Sequence, residues 1–243
     1  MPSDRHTIVS ANGNRWLTAG GTAAALAVGA AVAAGAGWRG FVLLLAFFLS
    51  SSLLTPGGGR RTARQVAANG SVAAAAALAG ALHPAWTPVF AGALAAAAAD
   101  TWSTEIGGRS ATPPRLLTTG QRVAAGTSGG VTWLGTAGGI AGSAFVAVVA
   151  AALSLVPPLA APWVAAGGVA GSFADSLLGA TLQARYRCAA CGGVDEKGGA
   201  CCGAPMTLAS GLAWMTNDTV NLAATIVGAA VPLLAMGGGT AAR

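Results

Sequence analysis

Apolar segments that are long enough, or nearly long enough, to cross a membrane follow one another along this chain. A spanning helix needs about 20 mostly apolar residues, and seven segments are candidates: 17–36, 41–54, 66–82, 86–100, 131–156, 159–183 and 207–236. Hydrophobic residues make up 54% of the chain and charged residues only 8%, whereas a soluble domain carries about 25% charged residues. The sequence therefore predicts an all-α, polytopic membrane protein.

Basic side chains are distributed unevenly over the connections between these segments. Arginines are frequent in the first tail, which holds Arg5 and Arg15, and after the second, fourth and sixth segments, whereas the other connections hold Arg39 or no basic residue. Because basic loops remain in the cytoplasm, we expect seven helices with a cytoplasmic N-terminus and an external C-terminus. The net charge of +6 then reflects topology, so we expect a lipid bilayer and no nucleic acid as partner.

The chain shows no sign of a separate soluble domain. The connections predicted to lie outside are very short, and the three larger ones all lie on the cytoplasmic side. We therefore expect a single integral-membrane domain, 1–243, in the cell membrane, with a cysteine-containing cytoplasmic loop at 184–206.

Several acidic side chains lie in or beside the apolar segments, namely Asp100, Glu105, Asp175 and Asp218. An ionised residue at the middle of a bilayer costs about 2.5–3.5 kcal/mol, so such residues usually face the interior of a bundle and bind an ion, a proton or a substrate. These carboxylates are the first candidates for a catalytic or metal-binding role.

Each carboxylate has polar neighbours at helical spacing. Thr104 follows Asp100 by four residues, Ser176 is next to Asp175, and Asn217 and Asn221 share a face close to Asp218. Oxygen ligands of this kind suit Mg²⁺, which typically takes one or two carboxylates together with substrate phosphates. A proton or Na⁺ pathway would use similar groups, and purely structural polar contacts are the third interpretation.

Two connections on the predicted cytoplasmic side are candidates for phosphate binding. The first begins at Gly57-Gly58-Gly59 and holds Arg60, Arg61 and Arg64 ahead of Asn69; it anchors the topology, and arginine also binds phosphate through paired donors. The second, 118–130, is rich in glycine and hydroxyl groups and precedes a predicted helix, whose first N–H groups would bind an anion. Its candidates are Arg122, Thr127, Ser128 and Gly129. Together with the carboxylates, these loops favour phosphoryl or nucleotidyl transfer to a lipid.

The cysteines occur as two close pairs, Cys188 with Cys191 and Cys201 with Cys202. The first pair has the spacing of a zinc knuckle, and the loop is predicted to face a reducing compartment. Four thiolates would hold a structural Zn²⁺, although the adjacent cysteines strain that geometry. A redox pair and free thiols are the alternatives.

Six motifs in order along nearly the whole chain carry a resemblance to a known family: FFLSSSLLT (47–55), RQVAANG (64–70), DTWSTE (100–105), GTSGGV (126–131), DSLLGA (175–180) and NDTVN (217–221). The chain resembles the integral-membrane family of prokaryotic proteins that includes the plant chloroplast phytyl-phosphate kinase. The cysteine loop of that family usually carries a histidine in its second half, where this chain has Cys201 and Cys202.

The resemblance implies phosphorylation of an isoprenoid monophosphate, such as a prenyl or phytyl phosphate, to its diphosphate by a nucleoside triphosphate. CTP is a candidate donor, because the family is distantly similar to CTP-dependent lipid kinases. Under this hypothesis Mg²⁺ ligands or the base come from Asp100, Glu105, Asp175 and Asp218. Substrate contacts come from Arg60, Arg61, Arg64, Asn69, Thr104, Arg122, Thr127, Ser128, Gly129, Ser176, Asn217 and Asn221. An ion-coupled transporter that uses the same carboxylates is the alternative.

Overall fold

The computed structural model describes residues 16–55 and 59–237. The sequence features at Arg5, Arg15, Gly57 and Gly58 lie outside the described residues. The helices are α1 Ala19–Leu54, α2 Ala63–Leu82, α3 Trp86–Gly107, α4 Trp133–Ala152, α5 Ala161–Thr181 and α6 Asn217–Gly237, with a 3-10 turn at Pro158–Ala160 before α5.

Helix α1 is a hairpin of two helical arms. Gly37 interrupts it with φ 63° and ψ −165°, a backbone conformation that glycine adopts without steric cost. The rings of Trp16 and Phe48, at the two ends of the hairpin, lie 5.9 Å apart, whereas a continuous helix would separate them by about 48 Å. The turn falls between the first two predicted segments, at the end of the bundle where Arg39 donates to the carbonyl of Ser154.

Helix α3 is the centre of the bundle and contacts every other helix. Its residues 88–99 are all buried, and most of them are alanine, a small side chain that allows helices to approach closely in a membrane. This packing fixes the position of Asp100, which follows directly after the buried run.

The connections between the helices contain β-structure, so the prediction of an all-α protein was wrong there. Strands β1 Arg115–Leu116 and β2 Gly130–Val131 pair antiparallel. A four-stranded antiparallel sheet, in the order β4-β3-β6-β5, consists of β3 Arg185–Cys188, β4 Val194–Asp195, β5 Ala200–Cys201 and β6 Ala204–Ser210.

The last predicted segment, 207–236, also began too early. Thr207 pairs with Arg187 in the sheet, and α6 begins only at Asn217. The cysteine-containing element is correspondingly longer than the predicted 184–206. Composition did not predict this strand because a short, mildly apolar run fits a strand as well as a helix. Pairing with β3 made the run a strand.

Among residues 16–55 and 59–237, four helices are long and apolar enough to cross a membrane by length and composition, namely α1, α2, α4 and α6. Seven crossings, with the N-terminus in the cytoplasm and the C-terminus outside, remain a prediction.

Candidate functional site

A large cavity lies at the end of the bundle where the connections α1–α2, α3–α4 and α5–α6 meet. Its volume is about 1500 Å³. It collects nearly all the side chains that the sequence singled out for chemistry: Arg60, Arg61, Arg64, Asn69, Asp100, Thr104, Glu105, Thr127, Ser128, Gly129, Asp175, Ser176, Asn217, Asp218 and Asn221. Residues far apart in the sequence therefore converge on one space.

Arg122 and the cysteines do not line this cavity. Arg122 is exposed and forms an isolated antiparallel bridge with Arg115 beside β1. The structure thus separates Arg122 from the other predicted phosphate-binding arginines.

The carboxyl groups of Asp100 and Asp175 lie close together across the α3–α5 interface and interact with each other. Asp175 Oδ1 is buried and accepts no hydrogen bond from another described residue. Two carboxylates so close repel each other when both are ionised, so the pair requires a shared proton or a bound cation. An unsatisfied buried oxygen in such a pair is what a cation site needs.

The other two predicted carboxylates line the cavity but do not join this pair. Glu105 interacts electrostatically with Arg61, and Asp218 makes no hydrogen bond or ion pair with another described residue. Within residues 16–55 and 59–237, no group of three carboxylates is close enough together to hold a metal ion. The predicted four-carboxylate set is therefore a contacting pair and two separate groups.

The first turn of α2 positions the arginines on another wall of the cavity. Thr62 caps the helix by accepting the N–H of Gln65, and the Gln65 side chain accepts the N–H of Thr62. This reciprocal cap satisfies two of the free N–H groups at the helix start. It also places Arg61 immediately before the helix and Arg64 within its first turn.

Of these guanidinium groups, that of Arg61 is held by its neighbours. Its Nη1 donates to Ser52 Oγ at 3.0 Å, and the group lies 5.6 Å from the centre of the Phe48 ring. Burial lowers the pKa of Arg61, and the nearby negative charge of Glu105 raises it. Arg64, in contrast, is exposed and forms no hydrogen bond or ion pair with another described residue, so its donors are free to bind a ligand.

The glycine-rich loop before α4 is engaged by the protein itself. Ser128 N–H donates to Glu196 Oε1 at 3.3 Å, and Gln183 Nε2 donates to Ser128 Oγ at 3.0 Å and to Glu196 Oε2 at 2.7 Å. Strand β2 also separates the loop from the start of α4. A carboxylate therefore already occupies the Ser128 N–H, which was one of the expected anion donors.

Gly129 determines how closely this loop approaches helix α5. Its φ is +78°, and a Cβ at this position would collide with Ala180. The loop backbone consequently lies against the end of α5, one turn beyond Asp175 and Ser176.

Sequence reasoning missed two charged residues of the cavity, Glu196 and Lys197. Both come from the sheet, between Cys191 and Cys201, and Glu196 interacts electrostatically with Asp175. The available signal was the charged run Asp195-Glu196-Lys197 in a loop with few other charges. Because this run lies outside every apolar segment, the cost of burying charge does not single it out.

The cysteines form a compact cluster beside the cavity. All four Sγ atoms lie within 4.8 Å of one another; the Cys191–Cys201 distance is 3.5 Å and the Cys201–Cys202 distance is 3.6 Å. The backbone N–H of Gly193, together with the neighbouring thiols, lowers the pKa of Cys191 to about 7. The same contact with Cys191 raises the pKa of Cys201 to about 12.

Residues 6–229 match the family described as "Integral membrane protein DUF92". The chain belongs to this family. The match covers nearly the whole of the described structure, and it confirms the resemblance carried by the six motifs, since relatives of the expected kinds are found as well.

Two curated relatives of this DUF92 protein come from a plant and an archaeon. "Protein PGR" of Arabidopsis thaliana is 40% identical over 95 residues, which is 35% of this chain and 33% of that protein. "Uncharacterized membrane protein MJ0933" of Methanocaldococcus jannaschii is 33% identical over 143 residues, which is 58% of this chain and 48% of that protein. The chain thus spans about a third and about half the length of these relatives. No solved structure matches.

Proposed function

We propose that this DUF92 protein is a magnesium-dependent lipid-phosphate kinase. It transfers a phosphoryl group from a nucleoside triphosphate, with CTP as a candidate donor, to a prenyl or phytyl monophosphate, and releases the diphosphate. The observation that carries the proposal is the meeting of a carboxylate pair and an arginine wall in one cavity at the end of an apolar helical bundle.

The carboxylate pair fits Mg²⁺. This ion usually binds through one or two carboxylates plus substrate phosphates and retains several waters, so it does not need the tight cluster of four carboxylates that the structure lacks. Asp100 and Asp175 would hold it, with the unpaired Oδ1 of Asp175 as one ligand atom. Bound Mg²⁺ would neutralise the charge that develops on the phosphate oxygens.

The arginines supply the complementary charge for a triphosphate. Guanidinium groups bind phosphate oxygens through paired N–H donors, and Arg64 has all its donors free of other described residues. Asn69 Nδ2 donates to the carbonyl of Gln65 at 3.0 Å, which leaves its second N–H as a donor for a phosphate oxygen. Asn217 and Asn221 of α6 add further amide groups to the cavity lining.

The acceptor simplifies the chemistry required of the protein. An oxygen of the monophosphate is already anionic, so it attacks the γ-phosphorus without first losing a proton to a strong base. The bond from the γ-phosphorus to the bridging oxygen breaks, the bond to the acceptor oxygen forms, and the nucleoside diphosphate leaves. Such a transfer depends on positioning and charge neutralisation, which are what this set of side chains provides.

The position of the cavity suits an acceptor that is anchored in lipid. Every described arginine and lysine except Arg39 lies in or next to the connections at the cavity end. Under the positive-inside rule this end faces the cytoplasm, where nucleoside triphosphates are available. A membrane-anchored phosphate at that surface is within reach of the same cavity.

An assay with purified protein tests the proposal directly. The protein in detergent or liposomes is incubated with Mg²⁺, a labelled triphosphate and phytyl or geranylgeranyl phosphate. We expect labelled diphosphate from the wild type and about 10²–10³-fold slower formation by Asp175→Asn. The absence of product with several prenyl phosphates and all four nucleotides would contradict the proposal. Proteoliposome uptake of a substrate without nucleotide would instead favour the ion-coupled transporter.

A further inference from the structure

The sheet that borders the cavity has almost no hydrophobic core of its own. Between Arg185 and Ser210 the only fully buried residue is Cys188, and both residues of β4 are exposed. A small unit of this kind buries too little apolar surface to fix its own fold, and such units commonly rely on disulfides or metals. The cysteine cluster is the feature of the sheet that can fill this role.

The spacing of the thiols matches a tetrahedral metal site. Zinc–sulfur bonds of about 2.3 Å in a tetrahedron place the sulfur atoms about 3.8 Å apart. The Cys191–Cys201 and Cys201–Cys202 distances of 3.5 and 3.6 Å are close to this value, and all four sulfurs lie within 4.8 Å of one another. A set of four cysteines without other donors is typical of closed, structural zinc sites.

The backbone resolves the difficulty posed by the adjacent cysteines. Consecutive side chains of an extended strand point to opposite faces, which would separate Cys201 from Cys202. Cys202 instead adopts φ +54° and is followed by Gly203 with φ +76°, and this turn brings both sulfurs to one side. Cys191 is likewise followed by a left-handed glycine, Gly192 with φ +70°, so each cysteine pair is part of a tight turn.

We propose that the four cysteines bind one structural Zn²⁺, and that this ion holds residues 189–203 in place against the cavity. The segment between Cys191 and Cys201 carries Glu196 and Lys197 into the cavity wall. Glu196 accepts a hydrogen bond from Ser128 of the glycine-rich loop and one from Gln183, which follows α5. Loss of the ion therefore frees this segment, whatever reaction the cavity performs.

Metal content is the first test. Full-length protein is purified in detergent with a reducing agent and without chelator, and its zinc is measured by mass spectrometry. We expect about one zinc per chain, as a closed four-thiolate site binds a single ion. Cys188→Ser and Cys201→Ser should lose most of it. Ala190→Ser, an exposed change between two of the cysteines, is the matched control and should retain the ion.

Limited proteolysis tests the consequence. Lys197 is exposed in the segment that the ion is proposed to hold, so trypsin reports on its mobility. We expect chelation to speed cleavage after Lys197 at least several-fold and added Zn²⁺ to restore the slow rate. Unchanged cleavage after complete removal of the ion would refute the holding role.

Two results would overturn the metal site itself. Wild-type protein with little zinc and paired disulfides would support redox chemistry, and protein with little zinc and four reactive thiols would show unpaired cysteines. If the serine variants fail to fold, the wild type substituted with Co²⁺ still tests whether the metal site exists. A tetrahedral thiolate site gives a sulfur-to-cobalt charge-transfer absorption. Its absence would exclude the site.

Discussion

The cavity has two kinds of wall, and they are held in different ways. The helical wall carries the Asp100–Asp175 pair on α3 and α5. Asp100 follows directly after residues 88–99, the alanine-rich, buried part of α3. The loop wall carries Ser128 and Glu196, which hydrogen bonds hold in place beside an exposed sheet. Close packing of buried side chains holds the helical wall in place, whereas hydrogen bonds hold the loop wall. The comparison suggests that chemistry resides on the rigid wall and that adjustable contacts reside on the other.

The carboxylate pair is where the largest effect on activity is expected. Asp100→Asn and Asp175→Asn should each lower kcat/KM by about 10²–10³-fold, the range for removing one electrostatic contribution to a transition state. Because the two carboxylates serve as one unit, the double variant should be little worse than either single variant. A double-mutant cycle of kcat/KM measures this.

The same variants separate chemistry from stability. Replacing one carboxylate of a contacting pair relieves repulsion, so the melting temperature should not fall. Fully additive losses in the cycle, or a large fall in melting temperature, would mean that the two groups have separate or structural roles.

The largest loss of stability is expected from a substitution in the closely packed part of the helical wall. Ala95→Leu adds three carbons at a fully buried position of α3, and overpacking of this kind costs about 1–3 kcal/mol. Thermal unfolding in detergent measures it, with Leu177→Met on the exposed side of α5 as a control that should be neutral. Equal stability of the two variants would show that the core is looser than the structure indicates.

The arginines test whether position in the cavity matters more than position in the sequence, because Arg64 lines the cavity and Arg122 does not. Arg64→Gln should raise the KM for the triphosphate or the lipid phosphate about 10- to 150-fold, since a charged hydrogen bond contributes about 1.5–3 kcal/mol. Arg122→Gln removes the same charge outside the cavity and should change KM less than about twofold, because an exposed distant charge is largely screened. Equal effects of the two changes would contradict the placement of Arg122.

The smallest effect is expected on the loop wall. Glu196→Gln keeps the shape of the side chain but weakens its contacts with Ser128 and Gln183, and a hydrogen bond of this kind contributes about 0.5–1.5 kcal/mol. Faster trypsin cleavage after Lys197 measures the change. Val194→Thr, an exposed neighbour on β4, serves as control. A loss of activity as large as that of Asp175→Asn would mean that the loop wall also takes part in the chemistry.

Much of the helical wall could be predicted from the sequence, because burying charge in an apolar segment is costly. Asp100, Asp175 and Asp218 stand out against their surroundings for this reason, and all three line the cavity. The loop wall offered no such contrast. Glu196 and Lys197 belong to a polar loop, where a charged side chain costs nothing to expose, so composition gave no reason to place them in the site.

By itself, the sequence determined that this is a membrane protein of apolar helices and that its rare acidic residues are functional candidates, since the bilayer restricts both hydrophobic length and charge. Only the tertiary structure decided which candidates meet. Asp100 lies against Asp175, whereas Glu105 interacts electrostatically with Arg61, an outcome set by how the helices pack against one another. Likewise, 204–210 became a strand because β3 offered it ladder partners, a pairing that local composition does not encode.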